Sequence, residues 1–409
     1  MMRRVVITGM GINSSLGNTP LDVSARLRVY KNAVHTMDAL RDIRGLNTNL
    51  AAPAIDFELP EHYTRKVLRT MGPVSIMAVW TAENAVRDAG LTGSPVLTSG
   101  RTGVAYGSSF GSTGALADFF SIQQTHAVGD LTSFSYLKLM PQTTAVNVSL
   151  FFKTVGRIIP SGTACTSGSL AIGYAYEAIK HGAQDIMIAG GAEEFDVAQV
   201  AVFDTLYATS VKNDTPELSP SPFDVARDGL VIGSGAGTLV LEEYEHAVNR
   251  GAKIYAEIVG FGTNTDGMHA TQPNKTTMAK CLELSLADAG LSADKIGYVN
   301  LHGTGTTNGD IAESTATESV LGHVPASSLK SYMGHTLGAC GAIEAICSIN
   351  MMNDGWFAPT LNLKNVDENC GKLDYIMGQG REINTEYVMS NNFAFGGINT
   401  SLIFKKYDK

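Results

Sequence analysis

The chain states its strand and helix signals twice, in the same order. In the first half, the β-branched run of residues 3–8 closes on Gly9. Residues 75–90 are apolar at helical spacing and stop at a glycine, as a helix end should. Residues 102–107 read as a short buried strand, and residues 168–182 as a helix followed by a strand over 185–189 that closes on Gly190 and Gly191. In the second half, residues 252–262 open like the N-terminal strand. Residues 295–303 run from a strand into a Gly-rich turn, and residues 334–355 form a small-residue helix ending at Gly355. Such alternation predicts an α/β fold with buried parallel or mixed sheets. The repetition predicts two halves, 1–250 and 251–409, related by a pseudo-twofold axis and packed as one unit. A further helix is predicted over 20–31, and the proline-bearing stretch 207–223 is the best long loop.

Composition narrows the function classes. Of 409 residues, 44% are hydrophobic and 17% charged, the reverse of a disordered chain. The net charge of −9 weighs against a general nucleic-acid binder, which needs dense Lys and Arg. Cys165, Cys281, Cys340, Cys347 and Cys370 are too scattered for a disulfide framework, which favours a reducing compartment. The N-terminus reads as a first strand, not a signal peptide, and no apolar stretch approaches the 18 residues of a membrane span. A soluble cytoplasmic protein is expected.

Three residues stand where packing alone does not explain them. Cys165 lies in SGTACTSGSLAIG, directly before a helix, where the dipole and unpaired N–H groups favour an anion. That position predicts a thiol more acidic than a free cysteine. His302 lies in NLHGTGTTNGD, at the end of a strand among glycines and threonines. His335 lies in KSYMGHTLGACGA, where a loop enters a helix, with Lys330 five residues before it. Two distant histidines without spaced carboxylate or cysteine companions predict no metal. The Phe395-Gly396-Gly397 turn exposes backbone N–H groups suited to an oxyanion hole. Residues 233–237 lack a phosphate-loop frame, so nucleotide binding is rejected. One thiol and two imidazoles on separate turns fit carbon–carbon bond formation through an acyl thioester.

The motifs TACTSG, FDVARDG, HGTGT, KSYMGH and FAFGG stand in one order along essentially the whole chain. In them the sequence resembles the β-ketoacyl-acyl carrier protein synthases, type I/II condensing enzymes of the thiolase superfamily. The resemblance implies a thiolase-like αβαβα fold and a ping-pong decarboxylative Claisen condensation in fatty-acid-type chain elongation. It implies that Cys165 is the nucleophile, that His302 and His335 promote malonyl decarboxylation, and that Lys330 stands beside them. Asp310 and Glu313 are expected as partners of that lysine. Cys165 and Phe395 are expected to give the oxyanion-hole N–H groups, Phe395 also to gate the site, and Thr304 and Thr306 to hold the phosphopantetheine arm. No cofactor is expected beyond the phosphopantetheine that arrives on the carrier protein.

The departures from the family pattern are Leu230, Ser234 and Met333, all expected around the site, and Phe110, where the family has a smaller residue lining the acyl pocket. A ring there predicts short, flat or aromatic starters. The partner is expected to be an acidic acyl carrier protein, docking on Arg65, Lys66 and Arg69 beside His62. The chain is expected to form a homodimer or a heterodimer with a chain-length factor. The alternatives are a ketosynthase of a secondary pathway (aryl polyene or type II polyketide) and a non-catalytic chain-length subunit. A degradative thiolase would need a second cysteine base at the C-terminal Gly turn, and FAFGGIN has none.

Overall fold

The structure, a computed structural model, describes residues 2–129 and 131–407. Ten strands carry it: β1 (Val5–Asn13), β2 (Thr102–Gly107), β3 (Ile158–Ser161), β4 (Ile186–Glu193), β5 (Gly235–Glu243), β6 (Ala256–Thr265), β7 (Ile296–Asn300), β8 (Pro325–Ser327), β9 (Tyr387–Ala394) and β10 (Ile398–Lys406). From one edge they run β3-β2-β4-β5-β1, then β6-β10-β9-β7-β8, with the two-residue strand Asp374–Tyr375 outside β8. Each half therefore has the spatial order third, second, fourth, fifth, first. Within each half the third, second and fourth strands are parallel and the last two pairings antiparallel. The halves join through an antiparallel pairing of Val5–Ile7 with Ala256–Ile258.

Five helices complete the layers: α1 (Pro73–Asp88), α2 (Ser167–Lys180), α3 (Lys275–Ala289), α4 (Thr307–Leu321) and α5 (Cys340–Asp354). The first half covers its sheet with α1 and the helix Thr143–Phe152, the second with α3, on which α4 packs, while α2 and α5 pack on each other between the two halves of the sheet. This is the αβαβα arrangement of the thiolase-like fold. The duplication reaches single residues. A Cβ on Gly11 of β1 would fall 2.1 Å from the Thr81 carbonyl of α1, and one on Gly262 of β6 would fall 2.2 Å from the Cys281 carbonyl of α3. Bare glycines let each outer helix sit against its strand.

The central helices are buried nearly all round, which is why their residues are small or apolar instead of amphipathic. Some predicted boundaries move. The strand expected to close on Gly190 and Gly191 runs through them to Glu193. The helix expected from 334 begins only at Cys340, after a 3₁₀ turn over Leu337–Ala339, because Gly334 takes a left-handed φ of 67° and breaks the path. The helix expected over 20–31 spans Pro20–Leu27. The 207–223 segment holds only a 3₁₀ turn at Pro216–Leu218. Among the described residues no helix is long and apolar enough to cross a membrane.

Candidate active site

Two equivalent turns build the site. After β3 the chain bends through Thr163 into a 3₁₀ turn, Ala164–Thr166, that leads into α2. After β8 it reaches the 3₁₀ turn Leu337–Ala339 that leads into α5. The first residue of each turn has a left-handed backbone, Ala164 at φ 49° and Leu337 at φ 47°. A non-glycine residue in that region stores strain. The next residue is Cys165 in the first turn and Gly338 in the second. A Cβ on Gly338 would lie 2.7 Å from Glu193 Oε2, and its N–H donates to that oxygen at 3.0 Å.

The thiol and both imidazoles meet in one place. One nitrogen or sulfur atom from each of Cys165, His302 and His335 lies within 4.8 Å of the others. The two rings stand edge to face with centroids 5.1 Å apart. The Leu337 N–H donates to His335 Nδ1 at 3.2 Å, so the ring proton of the neutral imidazole sits on Nε2. That Nε2 lies 3.0 Å from Cys165 Sγ. His302 Nδ1 faces two donors, Lys330 Nζ at 3.2 Å and Asn392 Nδ2 at 3.3 Å, which fixes its proton on Nε2 as well. Burial, with the Lys330 ammonium beside them, holds both rings well below the usual histidine pKa and therefore neutral. Neutral rings that carry their protons on Nε2, one of them 3.0 Å from the sulfur, suit a developing oxyanion.

Lys330 is buried and paired with Glu344, Nζ to Oε1 2.5 Å. Burial alone would discharge the ammonium, but the carboxylate outweighs it and the lysine pKa rises. Asn392 Nδ2 donates to the other oxygen of Glu344 at 2.7 Å. The expected partners, Asp310 and Glu313, do otherwise. Glu313 accepts the N–H groups of His302 (2.5 Å) and Gly303 (2.7 Å), and Asp310 accepts those of Thr304, Gly305 and Phe223. The reason is local: α4 starts directly after the histidine turn, so its acids cap that turn's backbone.

Cys165 lies at a helix entry, yet its thiol is not acidic. Burial pushes it up to about 12, while Lys330 and the N–H groups of Phe395 and Cys165 itself pull it down. The helix-terminus argument named the right position but left out desolvation. The Phe395 turn delivers its N–H because β9 and β10 form a hairpin closed by Gly396 and Gly397, both at positive φ.

Two family models cover most of the chain: the β-ketoacyl synthase N-terminal domain over residues 2–247 and its C-terminal domain over residues 255–364. The chain is 37% identical to 3-oxoacyl-[acyl-carrier-protein] synthase 1 of Haemophilus influenzae, covering all of both chains, and 36% identical to that of Escherichia coli over 99% of each. The chain belongs to the β-ketoacyl synthase family. Among solved structures, a β-ketoacyl synthase from Burkholderia phymatum superposes with a TM-score of 0.98 at 57% identity, with full coverage of both chains. A type II polyketide ketosynthase in complex with its acyl-carrier protein superposes at 0.87 with 29% identity, also over the full length of both.

In this β-ketoacyl synthase Cys165, His302 and His335 open into a cavity of about 500 Å³, lined also by Thr304, Thr306, Leu230 and Phe395. Thr304 and Thr306 share a hydrogen bond, Oγ1 to Oγ1 2.9 Å. Phe110 packs half-buried on the apolar cluster that holds Cys165, Phe203 and Leu337, with Phe395 against the same cluster. Met333 is buried in the short helix Lys330–Met333. Ser234 lies elsewhere: it accepts the Ala54 N–H at 2.8 Å and lines a second cavity with Glu194 and Asp56. Arg65 and Lys66 are exposed on the four-residue helix Arg65–Leu68. Arg69, also exposed, is its C-terminal cap and sits over the Phe134 ring. His62 is bound to Glu83 at 2.8 Å.

Sequence reasoning missed Glu344, Glu193 and Cys340. Glu344 had a signal, a single charge inside the buried apolar helix α5. Glu193 sits at the end of β4 and gathers the N–H groups of Ser109, Phe110 and Gly338. The Cys340 thiol donates to the Cys165 carbonyl at 3.2 Å.

Proposed function

We propose that this chain is a 3-oxoacyl-[acyl-carrier-protein] synthase that elongates acyl chains by decarboxylative Claisen condensation. The observation that carries the reading is a pair of neutral imidazoles gathered within 4.8 Å of the Cys165 sulfur, each with Nδ1 accepting and so its proton on Nε2.

In the first half-reaction the Cys165 sulfur attacks the thioester carbonyl of an acyl carrier protein. A carbon–sulfur bond forms at Cys165, and the carrier thiolate leaves and takes up the thiol proton. The N–H groups of Cys165 and Phe395 hold the oxyanion. In the second, a malonyl thioester loses carbon dioxide, and the electron pair of that bond becomes an enolate whose oxygen accepts from His302 and His335. The enolate carbon attacks the Cys165 thioester. A carbon–carbon bond forms, the carbon–sulfur bond breaks, and Cys165 leaves as a thiolate. Lys330, fixed by Glu344, holds His302 in the donating tautomer and its positive charge favours the thiolate. Thr304 and Thr306 would receive the phosphopantetheine arm, and Phe395 would part the two half-reactions. The chemistry is nucleophilic and acid–base, so it calls on no cofactor of the protein's own.

The partner in this reading is an acidic acyl carrier protein docking on Arg65, Lys66 and Arg69. We place a second copy of the chain at the open edge of β3, where Leu150, Val155 and Ile158 expose 58%, 70% and 41% of their surface. A reducing compartment, the cytoplasm, accords with five unpaired cysteines. Purified protein incubated with acyl- and malonyl-carrier protein is expected to release carbon dioxide and form a β-ketoacyl-carrier protein. Decarboxylation or condensation absent under those conditions would sink the reading.

A further inference from the structure

Gln199 lies inside the helix Val197–Asp204 and is fully buried. Neither its amide nitrogen nor its amide oxygen has a hydrogen-bond partner in the protein. A buried amide without a partner in the protein is costly, so its surroundings are the place to look for what would pair with it.

Its place indicates what would pair with it. The same helix sends Val197, Val200 and Phe203 into the apolar cluster around Cys165. Gln199 and Phe203 are four residues apart and share a helix face. The Phe203 ring lies 5.1 Å from that of Phe395, whose N–H reaches the Cys165 sulfur. A hydrocarbon chain attached to that sulfur has this cluster as its apolar surroundings. Leucine or methionine at 199 would serve a plain alkyl chain better than an amide does. A second polar atom nearby in sequence, Thr163 Oγ1, two residues before the nucleophile, is likewise buried and unpartnered.

We propose that Gln199 is a specificity-determining residue that hydrogen-bonds a hydroxyl or keto oxygen on the acyl chain held at Cys165, so that the enzyme selects oxygenated chains over saturated chains of equal length. The proposal rests on the ketosynthase reading. Its energetic logic is one-sided. The amide is shielded from bulk solvent and has no partner in the protein, so a ligand oxygen that reaches it forms a bond without breaking one inside the protein. A saturated chain leaves the amide as it was.

The test loads full-length protein with pantetheine thioesters of octanoate and of octanoates bearing one hydroxyl or keto group at successive carbons. Acylation of Cys165 is followed by intact mass, with Cys165→Ala as the blank. Wild type is expected to load at least one oxygenated isomer about tenfold faster than octanoate. In Gln199→Met and Gln199→Leu that preference should shrink to within about twofold. Both variants should melt at a higher temperature than wild type, because an unpaired buried amide is removed. Equal loading of octanoate and every oxygenated isomer by wild type would overturn the proposal. So would a preference that survives both substitutions, or a lowered melting temperature in both, which would mean the amide is paired inside the protein. Failure of wild type to acquire any acyl group is a separate result that overturns the ketosynthase reading itself.

Discussion

The Lys330 ammonium lies 2.5 Å from a Glu344 carboxylate oxygen, and both side chains are at most 2% exposed. A charge pair so buried is weak evidence for stability, but breaking it strands a charge. Glu344→Ala is expected to lower stability by about 3–5 kcal/mol in denaturant unfolding. It should also release the lysine that fixes the His302 tautomer, so decarboxylation falls with it. Glu344→Gln should recover part of the stability and little of the decarboxylation. Wild-type-like decarboxylation in Glu344→Ala would show that the tautomer is fixed by Asn392 alone.

The thiol offers a direct titration. With Cys165 raised to about 12 by burial, the rate of alkylation by iodoacetamide should climb about tenfold per pH unit across the neutral and mildly alkaline range, without levelling. Lys330→Ala removes a charge that favours the thiolate and should slow the reaction at every pH. A plateau below the ordinary cysteine pKa would instead revive the acidic thiol expected from the helix entry.

Cys165→Ala is expected to abolish condensation, and Cys165→Gln to abolish it while malonyl decarboxylation continues. Gln fills the space of an acylated sulfur and leaves both imidazoles in place. Chain elongation retained by either variant would remove Cys165 from its assigned role.

Acid should act on decarboxylation late. Both imidazoles are needed neutral, and both have pKa values well below 6.5 in the folded protein. Decarboxylation by Cys165→Gln should therefore stay flat as pH falls to about 6.5 and decline only below it. The same shift makes stability dependent on pH. The unfolded histidines take up protons near 6.5, so the stability that neutral burial contributes is full above that pH and is lost as pH falls toward the folded values. A decline centred at or above 6.5 would contradict the burial argument.

Reversing charge at Lys66 and Arg69 is expected to raise the KM for acyl carrier protein about tenfold and leave the reaction with short pantetheine thioesters unchanged. An equal effect on both substrate forms would point to damage to the fold. Phe110→Gly is expected to raise turnover of long saturated acyl chains relative to short ones; an unchanged profile would show that the ring turns away from the chain.

Much of this was legible in the string, and the reasons differ by residue. Strand–helix alternation is a periodic signal, so the order of elements and their doubling could be read directly. Cys165, His302 and His335 stood out because each occupies a turn where packing gives no account of it. The partner of Lys330 could not be read that way. Asp310 and Glu313 are near His302 in sequence, whereas Glu344 comes from the central helix of the same half and reaches the lysine only once α5 is laid against β9. Gln199 gave no signal at all, because an unpaired amide is a property of three-dimensional surroundings.

The left-handed bend before Cys165 has its counterpart before Gly338, where no sulfur sits. The scaffold therefore imposes the kink without help from the reactive group. The bend at 164 is thus set by the fold and not by the sulfur, and the opposite corner, occupied by the Glu193 carboxylate, has no room for a side chain at 338.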